Sequence, residues 1–158
     1  MLGVVKIHMV ICFFIGHRDT PLSIIPKLRE TVERHITEYG VTEFVVGRYG
    51  NFDRLAAQAL MEAKQRHPEI RLTLLLPYYD PTKPLEMPIG FDGSLYPDGL
   101  EHIPRRAAII QANQYMVRYS NYLIAYDAGR IGNTRKLVEF ARHREGKGLI
   151  HVENLAGV

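Results

Sequence analysis

The run Val10-Ile11-Cys12-Phe13-Phe14-Ile15 most constrains the fold: every position is apolar, and the run stops at Gly16-His17-Arg18. A strand with one wet face alternates polar and apolar residues. A strand without alternation is covered on both faces, as in a central parallel sheet. Parallel neighbours need a long crossover, usually a helix. The rest of the chain supplies such crossovers.

Thr20-Pro21 reads as an N-cap followed by proline at the first helical position. Ile25, Leu28, Val32 and Ile36 follow at helical spacing, and Gly40 stops the helix. Glu43-Phe44-Val45-Val46 reads as a second strand. Phe52, Leu55, Ala56, Ala59, Leu60 and Ala63 form one helical face, closed by His67-Pro68. A third strand is expected over Ile70–Leu76. A helix opened by Pro104 is expected over 103–119, with Ile109, Ala112 and Met116 inward. A fourth strand follows at Tyr122–Tyr126. Thr134, Leu137, Val138 and Ala141 mark a helical face, and Gly148–Val152 reads as a fifth strand. This alternation predicts a Rossmann-like three-layer α/β sandwich with a mainly parallel five-stranded sheet, order 3-2-1-4-5. A flavodoxin-like order 2-1-3-4-5 also fits the lengths.

The 158 residues fit one domain. Met9 stands directly before the first strand, so residues 1–8 read as an N-terminal extension and 9–158 as the domain. A net charge of +3 is too mild to argue for nucleic acid by itself. Cys12, the lone cysteine, reads as a buried small hydrophobe and excludes an internal disulfide. No stretch is long enough to span a bilayer, and the N-terminal apolar run is too short for a typical secretory signal. A cytoplasmic protein without membrane association is expected. The histidines show no metal spacing, and neither metal nor cofactor is expected.

In an open α/β sheet, ligands bind at the carboxyl ends of the strands, where the order reverses. For order 3-2-1-4-5 that point lies between strands one and four. The flanking turns are Gly16-His17-Arg18-Asp19 and Asp127-Ala128-Gly129-Arg130-Ile131-Gly132-Asn133-Thr134, with Gly47-Arg48-Tyr49-Gly50-Asn51-Phe52-Asp53 next door. Glycines let backbone N–H groups approach a ligand, and a helix N-terminus favours an anion. Arg18, Arg48, Arg54, Arg130 and Arg135 accompany these turns, and guanidinium pairs well with phosphate. The expected binding residues are therefore Gly16, His17, Arg18, Gly47, Arg48, Gly50, Asn51, Asp53, Gly129, Arg130, Gly132, Asn133 and Thr134. Thr134 and Asp53 also read as helix N-caps. His17 reads equally as an acid–base group or as a strut between turns.

Several motifs resemble one family. Phe14-Ile15-Gly16-His17-Arg18 resembles the first-strand signature of YpsA-like proteins in the SLOG superfamily, which includes DprA and the LOG phosphoribohydrolases. Gly50-Asn51-Phe52-Asp53-Arg54-Leu55-Ala56-Ala57, Leu74-Leu75-Leu76-Pro77-Tyr78, Asn113–Ser120 and Gly132-Asn133-Thr134 resemble later motifs in the same order. The likeness covers about residues 9–152. It implies a Rossmann-like fold and a pocket for a nucleotide or nucleotide derivative. Asn51 and Asn133 stand where relatives commonly carry glycine, and asparagine tolerates left-handed backbone. The LOG pattern places a glutamate three residues after the threonine; here that position is Leu137, and Glu139 lies round the helix.

The resemblance thus favours binding of a nucleotide-derived phosphate ligand, in a sensing role, over catalysis. An N-glycoside hydrolase acting on nucleoside monophosphates is the alternative, with Asp53, His17 and Asp127 as catalytic candidates. Single-stranded DNA binding, as in DprA, is a third reading, disfavoured by the modest charge. Residues 77–102 form a long loop with five prolines and the aromatics Tyr78, Tyr79, Phe91 and Tyr96. It reads as a lid, a self-packed surface loop or a contact in a homo-oligomer.

Overall fold

A computed structural model describes residues 9–157. The extension at residues 1–8 lies outside the described residues. The strands are β1 (Ile11–Gly16), β2 (Glu43–Val46), β3 (Arg71–Leu75), β4 (Gly93–Leu95), β5 (Tyr122–Tyr126) and β6 (His151–Asn154). The helices are α1 (Ile25–Thr37), α2 (Asn51–Arg66), α3 (Arg105–Tyr119) and α4 (Asn133–Glu145). The sheet has six strands in the order β4-β3-β2-β1-β5-β6, and every pairing is parallel.

Five strands were expected. The sixth is β4, inside the long loop, where it pairs with the edge strand β3. Three residues beginning at glycine carry too little periodicity to read as a strand. The Asp92 side chain sets the pairing: its Oδ2 accepts the Leu72 amide at 2.8 Å and the Lys64 ammonium at 2.5 Å. Without β4, the remaining order is the one the alternation predicts. The last strand starts at His151, not Gly148, because Gly148 adopts φ +73° in the turn after α4.

Alternation along β1 divides the core. Cys12 and Phe14 face one layer with Leu28 and Val32 of α1 and Leu55 and Leu60 of α2. Phe13 faces the other with Ala112 and Met116 of α3 and Leu137 and Val138 of α4. This is why β1 is apolar throughout. Cys12 is fully buried, and burial pushes its thiol pKa well up. Among the described residues no helix is long and apolar enough to cross a membrane.

The first crossover begins differently from expectation. A short 3-10 turn at Leu22–Ile24 precedes α1, and Thr20 does not cap it. The Thr20 hydroxyl instead donates to the His17 carbonyl at 2.6 Å, closing the turn after β1.

Candidate functional site

The sheet order reverses between β1 and β5, and a cleft of about 300 Å³ opens at their carboxyl ends. Gly16, His17, Arg18 and Asp19 form one wall; Arg130, Ile131, Gly132, Asn133 and Thr134 form another. Gly47, Tyr49 and Asp53 complete the β2 side. The three turns singled out from the sequence therefore meet at one cavity. Gly129, Asp127, Arg48, Gly50 and Asn51 lie outside its lining. Arg48 and Gly50 line a neighbouring shallow pocket with Gly47, Asp53 and Phe91.

The turns are braced against each other. The Ala128 amide donates to His17 Nε2 at 3.0 Å. The Thr134 hydroxyl donates to the Gly16 carbonyl at 3.3 Å. Arg130 pairs bidentately with Asp19, at 2.9 and 2.8 Å. The Asn51 amide N–H donates to the Arg18 carbonyl at 3.0 Å, and its side chain donates to the Thr20 carbonyl at 2.6 Å. Asp127 holds its own turn: Oδ1 accepts the Gly129 amide at 3.0 Å. Asn154 clamps the Asp127 backbone through both its amide and its carbonyl, each at 2.9 Å.

His17 is thereby a strut. A Nε2 that accepts a backbone N–H is unprotonated, so the ring is neutral with its proton on Nδ1. Burial, then the nearby Arg130 cation, lowers its pKa in the same direction, against a smaller opposing pull from Asp127.

Two capping expectations are corrected. The helices α2 and α4 are opened by Gly50 and Gly132, at φ +141° and +153°, with no side-chain cap. Asp53 and Thr134 sit inside the first turns, not at the caps. Asn51 and Asn133 are the first helical residues, and no described non-glycine residue has positive φ. The glycine preceding each asparagine carries the left-handed backbone, which relieves the asparagine of that role. A Cβ on Gly50 would stand 2.7 Å from the Arg18 Cα, so the second turn presses directly on the first.

The arginines separate on inspection of their partners. Arg130 is neutralised by Asp19, whose carboxyl it holds down at a pKa of about 2. Arg135 pairs with Glu139 at 3.0 Å on the outer face of α4. Arg54 donates to the Asn51 side chain. Arg18 lines the cleft and is exposed, with no carboxylate partner among the described residues.

Asp53 is the unusual titratable group. It is half-buried in the β2 wall, and Oδ2 accepts the Tyr49 amide at 2.9 Å. Burial pushes its pKa up to about 6, with the Tyr49 amide opposing.

The cleft also contains residues that turn chemistry did not single out. Ile109 and Asn113 come from α3, Leu75 and Pro77 from the end of β3, and Tyr49 from the β2 turn. Ile109 is half-buried against the cavity rather than inward with Ala112 and Met116. Helical spacing identifies a non-solvent face but does not distinguish core from cavity wall. Burial, and then the neighbouring Tyr78 hydroxyl, raises the Tyr49 pKa, and the Arg105 guanidinium lies 4.8 Å from the Tyr78 ring centre. Phe91 and Tyr96 pack instead against the two core layers, and Leu100 is buried. Phe91 and Tyr96 are thus committed to packing, whereas Tyr79 is exposed.

Among the described residues no group of three His, Cys, Asp or Glu side chains is placed to hold a metal ion. Comparison of the chain with protein-family models gives no match, and comparison with curated proteins gives none either.

Proposed function

We propose that the cleft binds a nucleotide or nucleotide-derived ligand by its phosphate, as a YpsA-like SLOG protein acting in the cytoplasm as a sensor. The observation that carries this reading is the start of α4. It is opened by glycine and lines the cleft together with Arg18; among the described residues the helix has no side-chain cap and Arg18 no carboxylate partner. Uncapped N–H groups, the helix dipole and a guanidinium all favour a phosphate dianion there. Asp53, carrying negative charge near neutral pH, directs the phosphate to this wall and leaves the β2 side for the sugar and base.

Binding is preferred to hydrolysis because the residue three after Thr134 is the buried Leu137. Glu139 faces outward in its pair with Arg135. The Asp53 carboxyl favours the second reading, cleavage of the N-glycosidic bond of a nucleoside monophosphate. A carboxyl titrating near pH 6 is an effective proton donor close to neutrality.

Thermal denaturation with a panel of nucleotides tests the first reading. A ligand at about 100 times its Kd adds about 2.7 kcal/mol, a rise of about 5–10 °C for a chain of this size. Arg18→Ala should remove most of that rise. No shift for any nucleotide at millimolar concentration rejects the reading. Release of free base, lost in Asp53→Asn, would establish the second.

A further inference from the structure

Asn113 of α3 and Asn133 of α4 each line two cavities. One is the main cleft; the other is a narrower groove of about 90 Å³ between the two helices. The shared pair makes the groove a continuation of the cleft, with the two asparagines as its sill. Resting on the reading of the cleft as a phosphate site, we infer that this groove is a second subsite. Its ligand is a nucleotide whose phosphate is esterified to a further ring-bearing group, rather than a simple monoester.

The groove's chemistry defines that group. Beyond the sill it is lined by Ile110, Leu137 and Phe140, with Gln114 and Lys136. Leu137 is buried, and Phe140 is held in place by the guanidinium groups of Arg118 and Arg144, at 5.4 and 5.9 Å from its ring centre. This is an apolar slot with a fixed aromatic side, suited to the face of a planar ring. The Asn113, Asn133 and Gln114 amides offer donors and acceptors to the ring's edge. Lys136 is exposed, and the neighbouring carboxylate, Glu139, is taken by Arg135. Its ammonium has no ion-pair partner among the described residues. A cation beside the sill suits the bridging phosphate, which keeps one negative charge as a diester. A monoester ends at the α4 N-terminus and leaves the slot unused.

Direct binding to the intact chain tests this, with adenosine monophosphate, a dinucleoside monophosphate and a dinucleoside diphosphate as probes. The two diesters distinguish a single bridging phosphate from a diphosphate bridge. At least one diester should bind about tenfold more tightly than the monoester, the worth of one to two hydrogen bonds with an apolar contact. Lys136→Glu and, separately, Gln114→Trp, which fills the slot, should abolish that advantage. Monoester binding should stay unchanged in Gln114→Trp, showing that this variant folds. Monoester binding with no preference for either diester overturns the subsite and leaves the cleft reading standing. Binding of neither class overturns both.

Discussion

Asp53 and His35 show how burial sets opposite acid responses at single residues. Asp53 binds its proton more tightly when folded, at a pKa of about 6 against about 3.9 for an unperturbed aspartate. Folded ionised Asp53 therefore costs stability above pH 6, and the cost fades as pH falls towards 4. A gap of about two pKa units corresponds to about 3 kcal/mol. Asparagine can keep the Tyr49 hydrogen bond without the charge. Asp53→Asn should therefore raise stability at pH 7.5 by about 1–3 kcal/mol, with the difference gone by about pH 4. Urea denaturation across pH checks it; a variant less stable at neutral pH contradicts it. His35 behaves the other way. It is fully buried, its Nδ1–H donates to the Thr31 carbonyl at 2.7 Å, and Nε2 has no hydrogen-bond partner among the described residues. Its ring meets Tyr39 and Tyr122 edge-on, at 4.9 and 5.4 Å. Burial lowers its pKa despite the Thr31 carbonyl and Glu153. The unfolded chain then binds more protons, so this contribution is present above about pH 6.5 and is lost as pH falls. In His35→Phe that part of the pH dependence should disappear; an unchanged slope below pH 6.5 would assign the acid sensitivity elsewhere.

At the scale of elements, the site depends on how closely α2 packs on the end of β1. A Cβ on Gly16 would overlap the Phe52 ring, which is itself buried. Nothing about Gly16's φ demands glycine; the neighbouring helix does. Gly16→Ala should cost about 1–3 kcal/mol through overpacking, read as a lowered midpoint in denaturant. A neutral Gly16→Ala would mean that α2 can move off β1 freely. The sequence showed where turns would stand but not their division of labour. His17 as strut, Asp19 as the partner of Arg130, and Asn51 as a tie to Thr20 all depend on contacts with residues distant in the chain, which composition and spacing do not encode. Thr20 is a local exception: it reads as a cap and instead closes its own turn on the His17 carbonyl.

Across the whole molecule, the loop from 77 to 102 joins the sheet edge at Asp92 and β4 and reaches the core through Phe91, Tyr96 and Leu100. Asp92 bridges Leu72 and Lys64, and β4 adds three residues to the edge. Asp92→Ala should lose about 1–2 kcal/mol, the cost of leaving a backbone N–H and an ammonium unpaired. It should also speed proteolytic cleavage within 77–92. Unchanged cleavage would show that the core contacts of Phe91, Tyr96 and Leu100 hold the loop without β4.

By itself the sequence determined the alternation of parallel strands and helices, the two covered faces of β1 and, given the order 3-2-1-4-5, the meeting of three glycine turns at the strand-order reversal; the choice of that order over 2-1-3-4-5 came from the tertiary structure. These follow from periods of two and 3.6 and from the rule that ligands bind at that reversal. Tertiary structure alone decided which arginines of the turns are paired with carboxylates, that His17 is neutral, that burial pushes the Asp53 pKa up to about 6, and that Ile109 and Asn113 belong to a cavity. Those properties depend on distance and dielectric between residues far apart in the chain. A linear pattern specifies which face a side chain presents, not what charge or space it meets there.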